Sequence, residues 1–228
     1  MFGLEPNFGC CTANMHQGWP KFVKSLWYRA EDLGLVSMVF APCRLETEAE
    51  GRKVCIREET EYPFKDKITF HVEEASHENL EFRIRIPQWC STYKLYKNET
   101  CIKEEDHREK TGVIMPVCRG LKTGDVIRAE FSMDIERSYW FRNSMAVERG
   151  PLVYALDMKE RWKTVKEVAG VRDYEVYPES AWNYALEESP AFEVSINPVG
   201  ETPFSKAHPP VKLKTKGRRL DAWELEAN

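Results

Sequence analysis

From Leu35 onward the apolar residues recur with period two, and that period admits few folds. Leu80, Phe82, Ile84 and Ile86 alternate with Glu81, Arg83 and Arg85 until Pro87 closes the run. Side chains reverse direction at each residue of a strand, so this pattern builds a sheet with one apolar and one charged face. Ile68, Phe70 and Val72 alternate with Thr69 and His71 in the same way. Lys122-Thr123-Gly124-Asp125 reads as a turn leading into a strand over 126–133. Arg149-Gly150-Pro151 precedes Leu152-Val153-Tyr154-Ala155-Leu156, an apolar run expected to form a strand buried on both faces. Such strands, with turn signals every ten or so residues, predict a mainly β chain of antiparallel sandwiches. No helix is predicted after residue 34.

The first forty residues follow another rule. Phe22, Val23, Leu26, Trp27 and Ala30 fall on one helical face, with Lys21, Lys24, Ser25 and Arg29 on the other. Pro20 suits a first helical turn, or kinks a helix begun near Thr12, and Gly34 is expected to stop it. A lone amphipathic helix cannot bury its own apolar face, so it needs a partner surface. The last third, from about Asp157, carries Trp162, Tyr174, Tyr177, Trp182, Tyr184 and Trp223 among six scattered prolines and shows no clear period. The expected organisation is a helical leader over 1–33, a β-sandwich over 34–135 and a second, smaller β-sandwich over 136–228.

Charge and composition exclude some functions. The chain has 33 basic and 37 acidic residues, which gives no electrostatic case for nucleic acid. The basic run Lys212, Lys214, Lys216, Arg218 and Arg219 reads as a solvated strand edge. No apolar stretch approaches the ~18–20 residues of a membrane span, so no membrane partner is expected. No basic and apolar leader follows Met1, which points to a soluble chain, cytoplasmic by default. Seven cysteines occur without any CxxC pair, so scattered ones such as Cys55 and Cys90 are expected to be small buried apolar residues.

One local cluster carries chemistry, the adjacent pair Cys10 and Cys11. Neighbouring cysteines are poorly placed to bond each other, but they can offer two thiolates to one soft cation such as zinc. A helix beginning just beyond them would favour thiolate over thiol. The competing reading is two small residues packed in a tight loop. His16 lies six residues beyond Cys10 and reads as a helix-surface residue; His71 lies on the polar face of a strand, His77 and His107 in charged loops, and His208 before two prolines. Carboxylates come in runs, Glu46, Glu48 and Glu50, then Glu58, Glu59 and Glu61, then Glu104, Glu105 and Asp106, which read as solvated faces.

The segment Phe8-Gly9-Cys10-Cys11-Thr12-Ala13-Asn14-Met15-His16-Gln17-Gly18-Trp19-Pro20-Lys21-Phe22 resembles the Cys-Cys segment of the β-L-arabinofuranosidase family, glycoside hydrolase family 127. Ile84-Arg85-Ile86-Pro87-Gln88-Trp89-Cys90 is similar to that family's RIPxW strand, and Gly124-Asp125-Val126 to its Gly-Asp turn. Ala146-Val147-Glu148-Arg149-Gly150-Pro151-Leu152-Val153-Tyr154-Ala155-Leu156 is similar to its RGPLVYAL strand, in family order.

The resemblance implies an (α/α)6 barrel followed by β-sandwich domains, with residues 1–33 as the last helix of that barrel. It implies a retaining glycosidase in which Cys10 is the nucleophile and Cys10 and Cys11 bind zinc. A glutamic acid protonates the leaving oxygen, and water resolves a thioglycosyl intermediate. In the family that glutamate and a Glu-x-Cys segment with the remaining zinc ligands lie upstream of the pair. Only nine residues precede Cys10 here, with Glu5 the sole acid among them. The chain is therefore expected to lack the Glu-x-Cys ligands, to need a missing barrel segment as partner, and to hold zinc weakly and be inactive alone. The glycan or arabinofuranoside substrate belongs to the parent. The alternative is a non-catalytic β-sandwich that binds glycan or docks on a partner through Trp162, Trp182 and Tyr184, and a thiol redox or metal-handling role is a third reading.

Overall fold

A computed structural model describes residues 9–32, 34–106 and 112–224. The chain divides into two compact units, one of Lys21–Val153 and one that gathers the described residues before and after it.

The larger unit is a two-sheet sandwich. Its strands are β1 (Trp27–Arg29), β2 (Gly34–Ser37), β3 (Cys43–Ala49), β4 (Arg52–Thr60), β5 (Lys67–Glu74), β6 (Ser76–Ile86), β7 (Thr92–Lys97), β8 (Thr100–Asp106), β9 (Val113–Lys122) and β10 (Val126–Phe131). One sheet has six strands in the order β3-β4-β5-β10-β7-β8, all paired antiparallel. The other has the order β1-β2-β6-β9. There β2 runs parallel to β6, a departure from the expected all-antiparallel pairing.

The period-two reading of the sequence places the core. Leu80, Phe82, Ile84 and Ile86 of β6 are fully buried, facing Ile68, Phe70 and Val72 of β5 and Ile127, Ala129 and Phe131 of β10. Register keeps these layers aligned, with Ile127 opposite Phe70 and Ala129 opposite Ile68. Across the sandwich the Phe70 and Phe82 rings meet at 5.0 Å and 65°. Outward-facing positions carry charge. Glu73 lies between Arg44 at 2.7 Å and Arg57 at 3.0 Å, which hold its carboxyl down at about 2. His71, on the polar face as expected, places Nε2 3.0 Å from Glu59.

The expected Gly-Asp turn is present, with Gly124 at φ +90° and Asp125 almost fully buried. The Asp125 carboxylate accepts the Lys122 backbone N–H at 3.0 Å and the Asn98 amide at 3.0 Å, and pairs with Lys97 at 2.9 Å. Burial works to raise this carboxyl, yet the donors outweigh it and hold it below the usual range. Asp125→Ala is expected to destabilise the sandwich by about 2–3 kcal/mol, because a turn N–H, an amide and an ammonium lose their acceptor together. The midpoint of urea unfolding would show it.

Three sequence expectations need correction. The helix predicted through residues 22–30 ends early: helix α1 spans Gly9–Asn14, a 3-10 turn Met15–Gln17, and helix α2 Gly18–Lys24. Pro20 does sit in the first turn of α2, but Trp27 lies in strand β1, opposite Ser37. The reason is core packing: Trp27 stands 5.7 Å from Phe70 and 5.8 Å from Phe82, and Leu26 is buried, so burial in the sandwich overrides helical periodicity. Gly34 then opens β2 rather than stopping a helix; a Cβ there would meet Ala30 and Arg83 at 3.2 Å. Finally, the 152–156 run is not buried on both faces. Strand β13 (Leu152–Tyr154) is an edge of the three-stranded sheet formed with β11 (Ile135–Tyr139) and β12 (Met145–Arg149), and Val153 is 71% exposed.

Beyond it the second unit holds three two-stranded antiparallel ladders. They are β14 (Glu160–Val168) with β15 (Val171–Pro178), β16 (Tyr184–Leu186) with β19 (Gly217–Arg219), and β17 (Glu193–Ile196) with β18 (Val211–Lys214). Lys212, Lys214, Lys216, Arg218 and Arg219 are solvated here, as expected of a charged edge.

Candidate active-site thiol pair

Cys10 and Cys11 are the second and third residues of α1, inside the helix rather than ahead of it. Both are exposed, so the reading as two packed loop residues fails for them. Their Sγ atoms lie 3.7 Å apart. The turn is held by the Asn14 amide, which donates to the Cys10 carbonyl at 2.8 Å, while Gln17 donates to Asn14 Oδ1 at 2.6 Å. His16 is exposed on the 3-10 turn that follows. Met15 and Trp19 are 79% and 74% exposed, which gives this stretch an apolar surface beside its thiols.

The other cysteines behave differently. Cys55 and Cys90 are buried, as expected of small apolar residues, and Cys43 and Cys118 are half-buried. Burial pushes the Cys43 and Cys90 thiols up to about 11 and raises Cys55 and Cys118 as well. These four remain thiols near neutral pH and are poor nucleophiles. Only Cys10, Cys11 and Cys101 are exposed.

Among the described residues no group of three or more His, Cys, Asp or Glu converges to hold a metal ion. His107 and Glu5 lie outside the described residues. One expectation about the ligands is corrected by the sequence itself: a Glu-x-Cys spacing does occur, at Glu99-Thr100-Cys101. It lies downstream of the pair, at the β7–β8 hairpin, where Glu99 adopts φ +66° and pairs with Arg128 at 3.0 Å.

A second site went unforeseen. Glu58, read with Glu59 and Glu61 as part of a solvated run, is only 2% exposed. The signal was the parity of β4: Val54, Ile56 and Glu58 share one face, and the first two are core residues. Its Oε1 accepts the Ala41 N–H at 3.2 Å, Oε2 lies 3.7 Å from Cys43 Sγ, and Ser37 and Trp27 are beside it. Burial is the dominant influence and pushes the carboxyl up to about 8, against the lowering effect of those donors.

Residues 34–133 match the family model described as the middle domain of GH127 beta-L-arabinofuranosidase, a stretch that covers β2 to β10. The fold is shared with a GH127 beta-L-arabinofuranosidase from Geobacillus stearothermophilus T6, at 20% identity and TM-score 0.60 over 92% of this chain and 33% of that one. A second solved structure, a GH127 beta-arabinofuranosidase, aligns at 16% identity and TM-score 0.54 over 91% of this chain and 34% of its own. A third, a glycoside hydrolase, gives 18% identity and TM-score 0.56 over 91% and 36%. The chain thus spans about a third of the length of these structures. No curated protein matches the sequence. The family match and the shared fold agree over the same stretch: residues 34–133 are similar to the middle domain of GH127 beta-L-arabinofuranosidases.

Proposed function

We propose that this chain is the C-terminal part of a retaining glycoside hydrolase that acts on β-L-arabinofuranosides, with Cys10 as its nucleophile and Cys10 and Cys11 as two ligands of a zinc ion. The observation that carries the reading is the exposed thiol pair with its 3.7 Å sulfur separation. Two thiolates on a tetrahedral zinc, each at about 2.3 Å, stand about 3.8 Å apart, so the pair already fits one edge of the tetrahedron. When bound, zinc keeps a coordinated thiol deprotonated near neutral pH. The Cys10 sulfur would then attack the anomeric carbon, with Asn14 holding the backbone turn that presents it.

In this reading the acid that protonates the leaving oxygen and the other ligands come from a helical barrel segment that would end with helices α1 and α2, before the chain enters strand β1 at Trp27. Retention of configuration follows from two successive displacements at one carbon, the second by water. Hydrolysis of an aryl β-L-arabinofuranoside tests the reading. The parent chain with its barrel should cleave the substrate, and the 228-residue chain alone should show no turnover. A parent chain without glycosidase activity would favour the second reading, a glycan-binding or docking module. That reading is supported by Trp162 and Tyr184, which are 54% and 41% exposed.

A further inference from the structure

Glu58 is a buried carboxyl without a counter-ion, and its surroundings come from four strands. Trp27 stands on β1, Ser37 on β2 and Cys43 on β3, while the Phe70 backbone pairs with Glu58 from β5. The Trp27 indole N–H donates to Cys43 Sγ at 3.3 Å, and that sulfur lies 3.7 Å from the carboxyl. The Ala41 N–H, from the connection between β2 and β3, is the backbone donor. Cys43 is the titratable group that faces it, and it stays a neutral thiol. The neighbouring β4 charges, Arg57 and Glu59, sit on the opposite, solvated face, where Arg57 pairs with Glu73. Among the described residues no cation pairs with Glu58.

A buried carboxylate without a cation is costly, so ionisation calls for water. The cover over Glu58 is uneven. On one side stand β4 and β5, held by the fully buried Ile56, Ile68 and Phe70. On the other stands β1, three residues long and paired through its backbone with β2 alone, while its Trp27 and Arg29 side chains reach Cys43 and Thr47 of β3. The Leu26 carbonyl accepts two amides, Met38 N–H at 2.9 Å and Val39 N–H at 3.3 Å. Such a short edge has the lowest cost of local opening.

We propose that Glu58, Cys43, Ser37 and Trp27 form a proton-linked clasp that anchors residues Leu26–Arg29 to the sandwich and loosens when the carboxyl ionises. In the chain those residues follow helix α2, twelve positions beyond the end of the helix α1 that bears Cys10 and Cys11, so the clasp sets how firmly the start of the sandwich is held after α2. The direction is fixed by linkage. The carboxyl has its ordinary value of 4.5 when the anchor is open and about 8 when it is closed. The open form therefore releases a proton that the closed form keeps. The anchor is firmest below about pH 4.5 and weakens as pH rises toward about 8, where the loss levels off.

Hydrogen exchange on the 228-residue chain, corrected for intrinsic exchange, tests this. The Met38 and Val39 amides should lose protection by about tenfold per pH unit between about pH 5 and 8. They should also stay less protected than the core amides of β4 and β5. In Glu58→Gln the pH dependence of these two amides should vanish. Protection that does not change with pH, exchange only together with the core, or an unaltered slope in Glu58→Gln would each overturn the clasp. Should Glu58→Gln not fold, infrared spectra of the wild-type chain decide: a protonated-carboxyl band at pH 7 that titrates with the exchange supports the proposal. Its absence at pH 7 refutes it.

Discussion

Phe82→Ala is expected to remove about 3–5 kcal/mol from the stability of the 34–133 sandwich, enough to leave a marginal fold largely unfolded at 37 °C. Phe82 is fully buried at the middle of β6. It is where the two sheets touch: its ring meets Phe70 of the six-stranded sheet at 5.0 Å and Trp27 of its own sheet at 5.8 Å. The whole ring lies within a contact network, so alanine would leave a cavity lined by rings that cannot collapse without moving strands. The hydrophobic term and the cavity term then act in the same direction. Val153→Ala makes the control, because a side chain 71% exposed contributes within about 0.5 kcal/mol either way. Urea unfolding followed by tryptophan fluorescence measures both. A loss below 1 kcal/mol for Phe82→Ala would mean that the inter-sheet contact is not the keystone of the core.

The same residue shows why much of this fold was legible. Phe82 announces itself through Leu80, Ile84 and Ile86 at even spacing and through Glu81, Arg83 and Arg85 between them, and one buried face is all that a sandwich strand requires. Trp27 was misread because Phe22, Val23, Leu26, Trp27 and Ala30 do satisfy a helical face, while the partner that pulls Trp27 into a strand, Phe70, lies 43 positions further on. Periodicity registers local order and is blind to that contact. The parallel pairing of β2 with β6 is equally long-range, and no local pattern reports it. Glu58 shows the opposite failure. Its inward parity was visible beside Val54 and Ile56, but grouping it with Glu59 and Glu61 by composition hid that parity. In the second unit β14 is exposed along its whole length, so it has no buried face to leave a period. The thiol pair is plain in the sequence as two adjacent cysteines, and its exposure is what the sequence left open; among the described residues no third His, Cys, Asp or Glu gathers with it into a metal-holding group.

The pair itself makes the last prediction, for the longer hydrolase proposed above, of which this chain would be the C-terminal part. Cys10→Ser is expected to reduce β-L-arabinofuranoside hydrolysis by at least about 10³-fold, since a serine hydroxyl is not deprotonated near neutral pH and forms a poor leaving group in the second displacement. Cys11→Ser is expected to fail differently. The nucleophile remains, but one ligand is lost, and metal affinity should fall by no less than the roughly 10–100-fold seen when a mere orienting partner is removed. The two sulfurs are 3.7 Å apart on consecutive residues, so packing alone would treat their substitutions alike. Activity and bound zinc must therefore be measured side by side. Added zinc should restore part of the Cys11→Ser rate and none of the Cys10→Ser rate, and dialysis against a chelator should silence the wild type. Hydrolysis at the wild-type rate by Cys10→Ser would remove the nucleophile assignment. Zinc content unchanged in Cys11→Ser would remove the assignment of Cys11 as a zinc ligand.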